Sequence, residues 1–449
     1  MARHVNRYLN DTVVKKSNID LFTSSPEIKG KSLNNDVIST KIPEQPKVKI
    51  RIAVFFDETL KNRSSKGLRE NDYKDAYSNI TKLEQFWLED ESADYSFSIY
   101  SEGLITDDMD IGETGVLIKV EHVFEQIINR LNALLRNKNI EYIHFDVFGT
   151  SRGAATARNF IYGCLDNPEQ TLSEQLSVHG YSVDLVEIKF TGLYDTIASY
   201  HVVDPEYLIK LHLSSVKHSE KTVHFAAAEE HRENYRLMNI SSVPMVRRLE
   251  VFLPGSHLDI CGGYKNNMDE VEHSILYMPI DQENGLTAAE NDAFVREINW
   301  LVDTGWYEET EIKPFNINDQ LMATRRGITN SYSHIPLSLM VKFALRKEII
   351  FSGRIKTRYS LPSFLKKFKK SIDVYIRGLE RARGYRGKRS LPSDWFNFSP
   401  ANIKQLRHDH LHFSAYYGAN YGYKKNKNLP YWSGGDPIKG KRKRIIKNS

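Results

Sequence analysis

The chain has 449 residues, of which 40% are hydrophobic and 27% charged, and a formal net charge of +5 at neutral pH. These are ordinary globular values with ample length for a large core, and they exclude a disordered or collagen-like chain. Two cysteines, Cys164 and Cys261, are too few for a disulfide framework or a cysteine-based zinc site, so synthesis in a reducing compartment is expected. No run approaches 18 consecutive apolar residues, and the N-terminal MARHVNRYLNDTVVKKSN lacks an apolar signal core. Neither membrane spanning nor Sec export is therefore expected, and a protein of this kind would need another machine to leave its cell.

Residues 1–48 are polar and unpatterned, and are expected to form a tail or a surface wrap. KIRIAVFF (49–56) reads as a strand leading into the turn-like Asp57-Glu58-Thr59, and SFSIY (96–100) as a second strand before a long loop rich in Gly and Asp. Over 119–136, Val120, Val123, Ile127, Ile128, Leu131 and Leu134 recur at helical spacing. A strand at 142–148 then runs into a helix from Arg152 to about Cys164, and a strand at 184–190 into TGLYDTIAS. HFAAAEEHRENY reads as a helix, and RRLEVFL as a strand entering PGSHLDICGGY. Strands alternating with helices predict an α/β fold with a mostly parallel, doubly wound sheet. The catalytic core is expected over 49–275, with a helical insertion or membrane-contact region over 276–400 and a last segment over 401–449.

In such a sheet, catalytic groups collect beyond the carboxyl ends of the strands. FDET, GTSRG, YDT and GSH all fall there. Gly149-Thr150-Ser151-Arg152-Gly153 is a G-x-S-x-G between a strand and an Ala-rich helix, as a nucleophile elbow requires. Gly149 and Gly153 are needed because a Cβ on either side of the strained serine would clash with strand or helix. The helix N-terminus would aim N–H groups at a developing oxyanion, with Arg152 N–H the first donor.

A neutral serine needs a base, and the base an orienting carboxylate, in the chain order serine, acid, histidine. Fifteen histidines make some match inevitable, so position decides. His257 follows the last strand in a Pro-Gly turn, and Asp195 ends the preceding strand. The competing readings are a helix cap for Asp195 and a surface turn for His257. Asp259 is the alternative acid, although two residues from the histidine it is better placed to brace the loop. Asp57 is either a brace for the site or a loop cap. FFDET departs from the D-x-D-x-T of aspartyl-phosphate enzymes, with Phe55 at the first aspartate position.

FFDxT, YSEGLIT, FGTSRGAA, TGLYDTIAS, HFAAAEEHRENY, LPGSHLDICGGY and LRHDHLHFS together resemble the GxSRGA-type bacterial α/β-hydrolase family that includes the GxSxG phospholipase effectors of type VI secretion. The resemblance runs from about residue 50 to about 415. It implies an α/β-hydrolase fold with nucleophile Ser151, acid Asp195 and base His257, without cofactor or metal. It also implies that the segment around LHFS returns to the catalytic core. The implied reaction is phospholipase A-type cleavage of glycerophospholipid acyl esters. The implied partners are a phospholipid membrane surface, a secretion spike protein and a cognate immunity protein. The protein would be made in the bacterial cytoplasm and injected into target cells. Where the family has FDGT this chain has Asp57-Glu58-Thr59, so the second oxyanion donor falls to Glu58 and Thr59. Where it has HSDxGGG this chain has HLDICGG, with Leu258 and Cys261 in place of small residues. These departures bear on specificity more than on reaction class. An esterase for soluble or carbohydrate-linked acyl groups, and a catalytically silent binding protein of the same fold, are the alternative readings.

The net charge hides a split: residues 341–449 hold 27 Lys and Arg against 6 Asp and Glu, so the first 340 residues are net acidic. Such a split points to an anionic partner. No nucleic-acid reader motif accompanies it, so a lipid surface is favoured over a nucleic acid. LPSFLKKFKKSIDVYIRGLERARGY (361–385) reads as a basic amphipathic helix whose apolar stripe lies either on lipid or on the body of the protein. The tail KGKRKRIIKNS would bind a polyanion weakly. His408, His410 and His412 alternate, and on a strand they would share one face, as metal ligands or as a buried edge.

Overall fold

The computed structural model describes residues 46–57, 77–103, 112–136, 138–198, 205–232, 235–277, 287–313, 320–381, 398–414, 417–418, 444 and 446–448. The described residues all belong to one compact unit, Gln45–Ser449.

In chain order the strands are β1 (Val48–Phe56), β2 (Tyr95–Ser101), β3 (Asn139–Thr150), β4 (Ser182–Val183), β5 (Val186–Tyr194), β6 (Thr222–Ala227), β7 (Leu237–Met238) and β8 (Arg248–Leu253). They are followed by β9 (Met268–Tyr277), β10 (Ile312–Lys313), β11 (Gln320–Ile328), β12 (Tyr417–Gly418) and β13 (Ile446–Lys447). The main sheet has the order β2-β1-β3-β5-β6-β8, with β4 paired to β3, and every pairing in it is parallel. This is the parallel α/β sheet expected.

The two-residue period of β1 separates two cores. Ile50, Ile52, Val54 and Phe56 face helices Gly112–Leu134 and Arg152–Leu165, meeting Val123, Ile127, Ala157 and Phe160. Ala53 and Phe55 face the other side, where Ile80, Leu83, Ile335, Met340, Phe368 and Leu406 come from four further helices. With helices on both faces, β6 is buried throughout and β1, β3 and β5 are buried over their C-terminal halves. Buried parallel strands lose the inside-outside alternation that marks a half-exposed sheet.

That burial explains one correction. HFAAAEEHRENY does not begin a helix: Thr222–Ala227 is β6, and all six of its residues are buried between β5 and β8. Pairing on both edges outweighs the helix propensity of its alanines. A second correction concerns the late histidines. Pro400–His410 is a helix capped by Ser399, so His408 and His410 are not alternating strand residues. They contact different groups: His408 meets Glu311 and Asp409, His410 meets Thr329, and His412 meets Asp259. A smaller sheet, β10-β11-β9-β12, was not anticipated and lies partly within the segment read as a helical insertion.

The helix expected within 361–385 spans Ser363–Arg381 and turns its stripe inward. Leu365, Phe368, Ile372 and Ile376 are buried against the body, while Lys366, Lys367, Lys370 and Arg377 are exposed. Lys369 is tied to Asp373 at 2.8 Å, and Lys342 reaches the same carboxylate at 2.7 Å. Among the described residues no helix is long and apolar enough to cross a membrane.

Candidate active site

Ser151 sits between the end of β3 and the helix Arg152–Leu165 with φ 56° and ψ −124°, a backbone conformation that costs free energy for a non-glycine residue. The local sequence makes that turn possible. A Cβ on Gly149 would come within 2.6 Å of the Ala154 backbone, and one on Gly153 within 2.3 Å of the Phe56 carbonyl oxygen. The bare Cα of Gly153 thus lets the elbow lie directly against the end of β1, next to Asp57. Two backbone bonds hold the elbow to the neighbouring strand end: Ser151 N–H donates to Tyr194 O (2.9 Å), and Ile197 N–H donates to Ser151 O (3.2 Å). The Ser151 hydroxyl is buried and has no hydrogen-bond partner among the described residues.

Asp195 follows β5 directly and takes φ 39°, a left-handed conformation that aspartate tolerates better than most residues. His257 Nδ1–H donates to Asp195 Oδ2 at 2.6 Å, and the Ala227 N–H donates to Oδ1 at 2.8 Å. Arg444 Nη2 also donates to Oδ2, at 2.9 Å. Burial alone would push this carboxyl up; the guanidinium of Arg444, and then the hydrogen bond and charge of His257, outweigh it and hold the group below the usual carboxylate range. Ser151, Asp195 and His257 are all fully buried.

His257 opens the short helix His257–Cys261, and two consecutive glutamates fix the backbone before it. Glu230 Oε2 accepts from His257 N–H (3.1 Å), and Glu229 Oε2 accepts from Gly255 N–H (2.9 Å). Glu230 is itself gripped by Arg232 through both oxygens, at 2.9 and 2.8 Å. Burial opposes ionisation of Glu230, but Arg232 and, beyond it, Arg444 hold its carboxyl well below the usual range. Asp259 sits behind the loop. Its Oδ2 accepts from the N–H and O–H of Ser256 and from His412 N–H, and its Oδ1 faces His412 Nδ1 at 2.8 Å. The His257 and Tyr235 rings meet at 66° with 5.1 Å between their centroids, and the Cys261 sulfur lies 3.7 Å from Nε2.

On the other flank, Asp57 is fully buried and its Oδ2 accepts from three hydroxyls: Tyr100 (2.6 Å), Thr81 (2.6 Å) and Ser78 (2.8 Å). Lys119 is buried near Asp57 and Arg152, and burial brings its amine down to about 8. Arg152 begins the elbow helix, where first-turn N–H groups have no intrahelical acceptor by geometry. Glu58 and Thr59, expected as the second oxyanion donors, lie outside the described residues.

The structure thus brings Ser151, Asp195 and His257 together from the ends of β3, β5 and β8, with Asp57, Gly149, Gly153 and Asp259 around them. Sequence reasoning gives Glu229, Glu230 and Arg444 no role, and reads His412 only as a metal ligand or a buried strand edge. The pair of glutamates lies within HFAAAEEHRENY, where a helical reading gives no sign that they accept from the Gly255 and His257 N–H groups. Among the described residues no group of three or more acidic, histidine or cysteine side chains is arranged to hold a metal ion.

Residues 165–281 match the family model described as type VI secretion (T6SS), phospholipase effector Tle1-like, catalytic domain. That stretch holds Asp195 and His257 and begins after Ser151. No curated protein matches the chain. Among solved structures, a Tle1 effector bound to the VgrG spike from the type 6 secretion system aligns with a TM-score of 0.58 at 21% identity, over 82% of this chain and 85% of that one. An uncharacterized protein from Pseudomonas aeruginosa aligns with a TM-score of 0.41 at 14% identity, over 79% of this chain and 56% of that one. The resemblance read from the sequence therefore holds: a segment similar to the catalytic domain of Tle1-like type VI phospholipase effectors is carried on a fold similar to that of a Tle1 effector.

Proposed function

We propose that this phospholipase effector domain is a serine ester hydrolase of phospholipase A type, with Ser151 as nucleophile, His257 as base and Asp195 as the orienting acid. The observation that carries the reading is the fully buried 2.6 Å bond between His257 Nδ1 and Asp195 Oδ2, beside a serine in a strained strand-to-helix turn. With Nδ1–H committed to the carboxylate, Nε2 is the nitrogen left to take a proton. Apo catalytic hydrogen bonds are often open and tighten with substrate, so a hydroxyl without a partner fits a resting nucleophile.

In the reaction, Ser151 Oγ attacks the acyl carbonyl carbon as its proton passes to His257 Nε2. The tetrahedral oxyanion is met by the N-terminal N–H groups of the elbow helix, Arg152 first. The imidazolium then protonates the departing glycerol oxygen and leaves an acyl-serine. Water, activated by the same nitrogen, releases the fatty acid and restores Ser151.

The spike seen with the similar Tle1 effector makes a spike protein the expected delivery partner here as well; a cognate immunity protein is implied by the family resemblance alone. Incubating the full chain with mixed phospholipid vesicles tests the function. Fatty acid and lysophospholipid are the expected products by mass spectrometry, absent for Ser151→Ala. Turnover confined to soluble acyl esters, or release of headgroups instead of fatty acids, would overturn the phospholipase A assignment.

A further inference from the structure

The basic tail is not simply a solvated charge run, because one of its arginines is inside the site. Arg444 is buried, and its Nη2 lies 2.9 Å from the carboxylate oxygen that also receives the His257 proton. It arrives there by strand pairing. Just beyond it, β13 adds in parallel to β7, with Ile446 opposite Leu237 and Lys447 opposite Met238. Asn239 N–H donates to Lys447 O at 3.0 Å, and the Asn239 side chain donates to Asn448 Oδ1 at 2.8 Å. β7 is in turn joined to the loop that carries Asp195: Met238 N–H donates to Thr196 O at 2.9 Å, and Ile197 bridges Leu237. Arg158 of the elbow helix also donates to Met238 O at 3.1 Å. Three chain segments are stitched side by side so that the end of the sequence delivers a cation to the acid of the triad.

We infer that Arg444 is a positioning residue of the active site, delivered by β13, whose guanidinium keeps Asp195 ionised and in place and so sets the pH range in which His257 can act as base. This rests on the triad proposed above. A merely structural role is a poor account of the contact. Among the described residues only one guanidinium nitrogen is bonded, while Nε and Nη1 are buried without partners. Burying a charge so thinly bonded is costly unless nearby anions compensate, and the anions here are Asp195 and, further off, Glu230.

The consequence has a definite sign. Asp195 and His257 are hydrogen-bonded at 2.6 Å, so a charge placed on one bears on the proton affinity of the pair. A cation on the carboxylate weakens the hold of that pair on an extra proton. Removing it tightens the hold, so the free base appears only at higher pH. The other charged and titratable neighbours of the pair, Glu230, Arg232, Tyr235 and Cys261, stay in place in the test.

The test is the pH profile of kcat/KM on a short soluble ester for the full chain, Arg444→Gln, Arg444→Lys and Ser151→Ala, with thermal melts alongside. For Arg444→Gln, kcat is expected to fall about tenfold or more with KM little changed, and the acid limb to move up by about one pH unit. Arg444→Lys, which keeps the charge and disturbs the fold least, should keep the limb near its original place. An unshifted limb in folded Arg444→Gln, or an equal shift in Arg444→Lys, overturns the role of Arg444 while leaving the triad intact. Undiminished activity in Ser151→Ala overturns the triad, and this inference with it.

Discussion

Asp195 and Asp259 each face a histidine yet differ in role, and the difference is one of partners. Asp195 presents Oδ2 to His257 Nδ1, whereas both oxygens of Asp259 are taken by Ser256 and His412. Asp195→Asn exchanges an acceptor for an amide that cannot fix the histidine tautomer, and should lower kcat by on the order of 10⁴. Asp259→Asn should leave kcat within about tenfold but destabilise the loop by about 1–3 kcal/mol, since buried donors lose their acceptor. Ester turnover and thermal melts on the two variants check both outcomes, and the reverse pattern moves the acid to Asp259. The elbow glycines, Asp195 and His257 were legible from the sequence because short spacing and strand-end position constrain them. Arg444 was not, since it meets Asp195 across 249 residues of chain and stands among many other basic residues.

The helix Ser363–Arg381 shows what periodicity can and cannot say. The spacing of Leu365, Phe368 and Ile372 revealed an amphipathic helix, but an apolar stripe reads alike whether it meets lipid or protein. Packing has used the apolar stripe, which leaves an electrostatic role for the exposed lysines. If that face docks on anionic membrane, its attraction should fade as the Debye length contracts from about 10 Å at 0.1 M salt to about 3 Å at 1 M. Replacing Lys366, Lys367 and Lys370 with Gln should reproduce high-salt behaviour at low salt on anionic vesicles, while a short soluble ester is turned over unchanged. Lys369 is omitted because it is paired with Asp373, so its loss would disturb the helix. Equal salt sensitivity on both substrates would mean that these lysines only solvate the surface. Propensity misled in the other direction at β6, where an alanine-rich segment lies between two parallel partners.

For the whole molecule, the parallel sheet was legible because each strand is followed closely by a helix or a motif loop. The smaller sheet was not, because β9 and β11 pair antiparallel across a long intervening segment that includes a helix. The proposed site is correspondingly composite: Ser151 follows β3, Asp195 follows β5 and His257 follows β8, with β6 between the last two. The loop before His257 is held by glutamates that follow β6 and by Asp259, which His412 meets from beyond the last long helix. Asp195 receives the guanidinium of Arg444, 249 residues further along the chain. All of these parts converge on the claim that Ser151 is an activated nucleophile, and covalent capture tests that claim most directly. The full chain treated with a fluorophosphonate and mapped by peptide mass spectrometry should carry one adduct, on Ser151, with none in Ser151→Ala. An adduct on a different serine with Ser151 unmodified, or undiminished labelling of Ser151→Ala, would contradict the account.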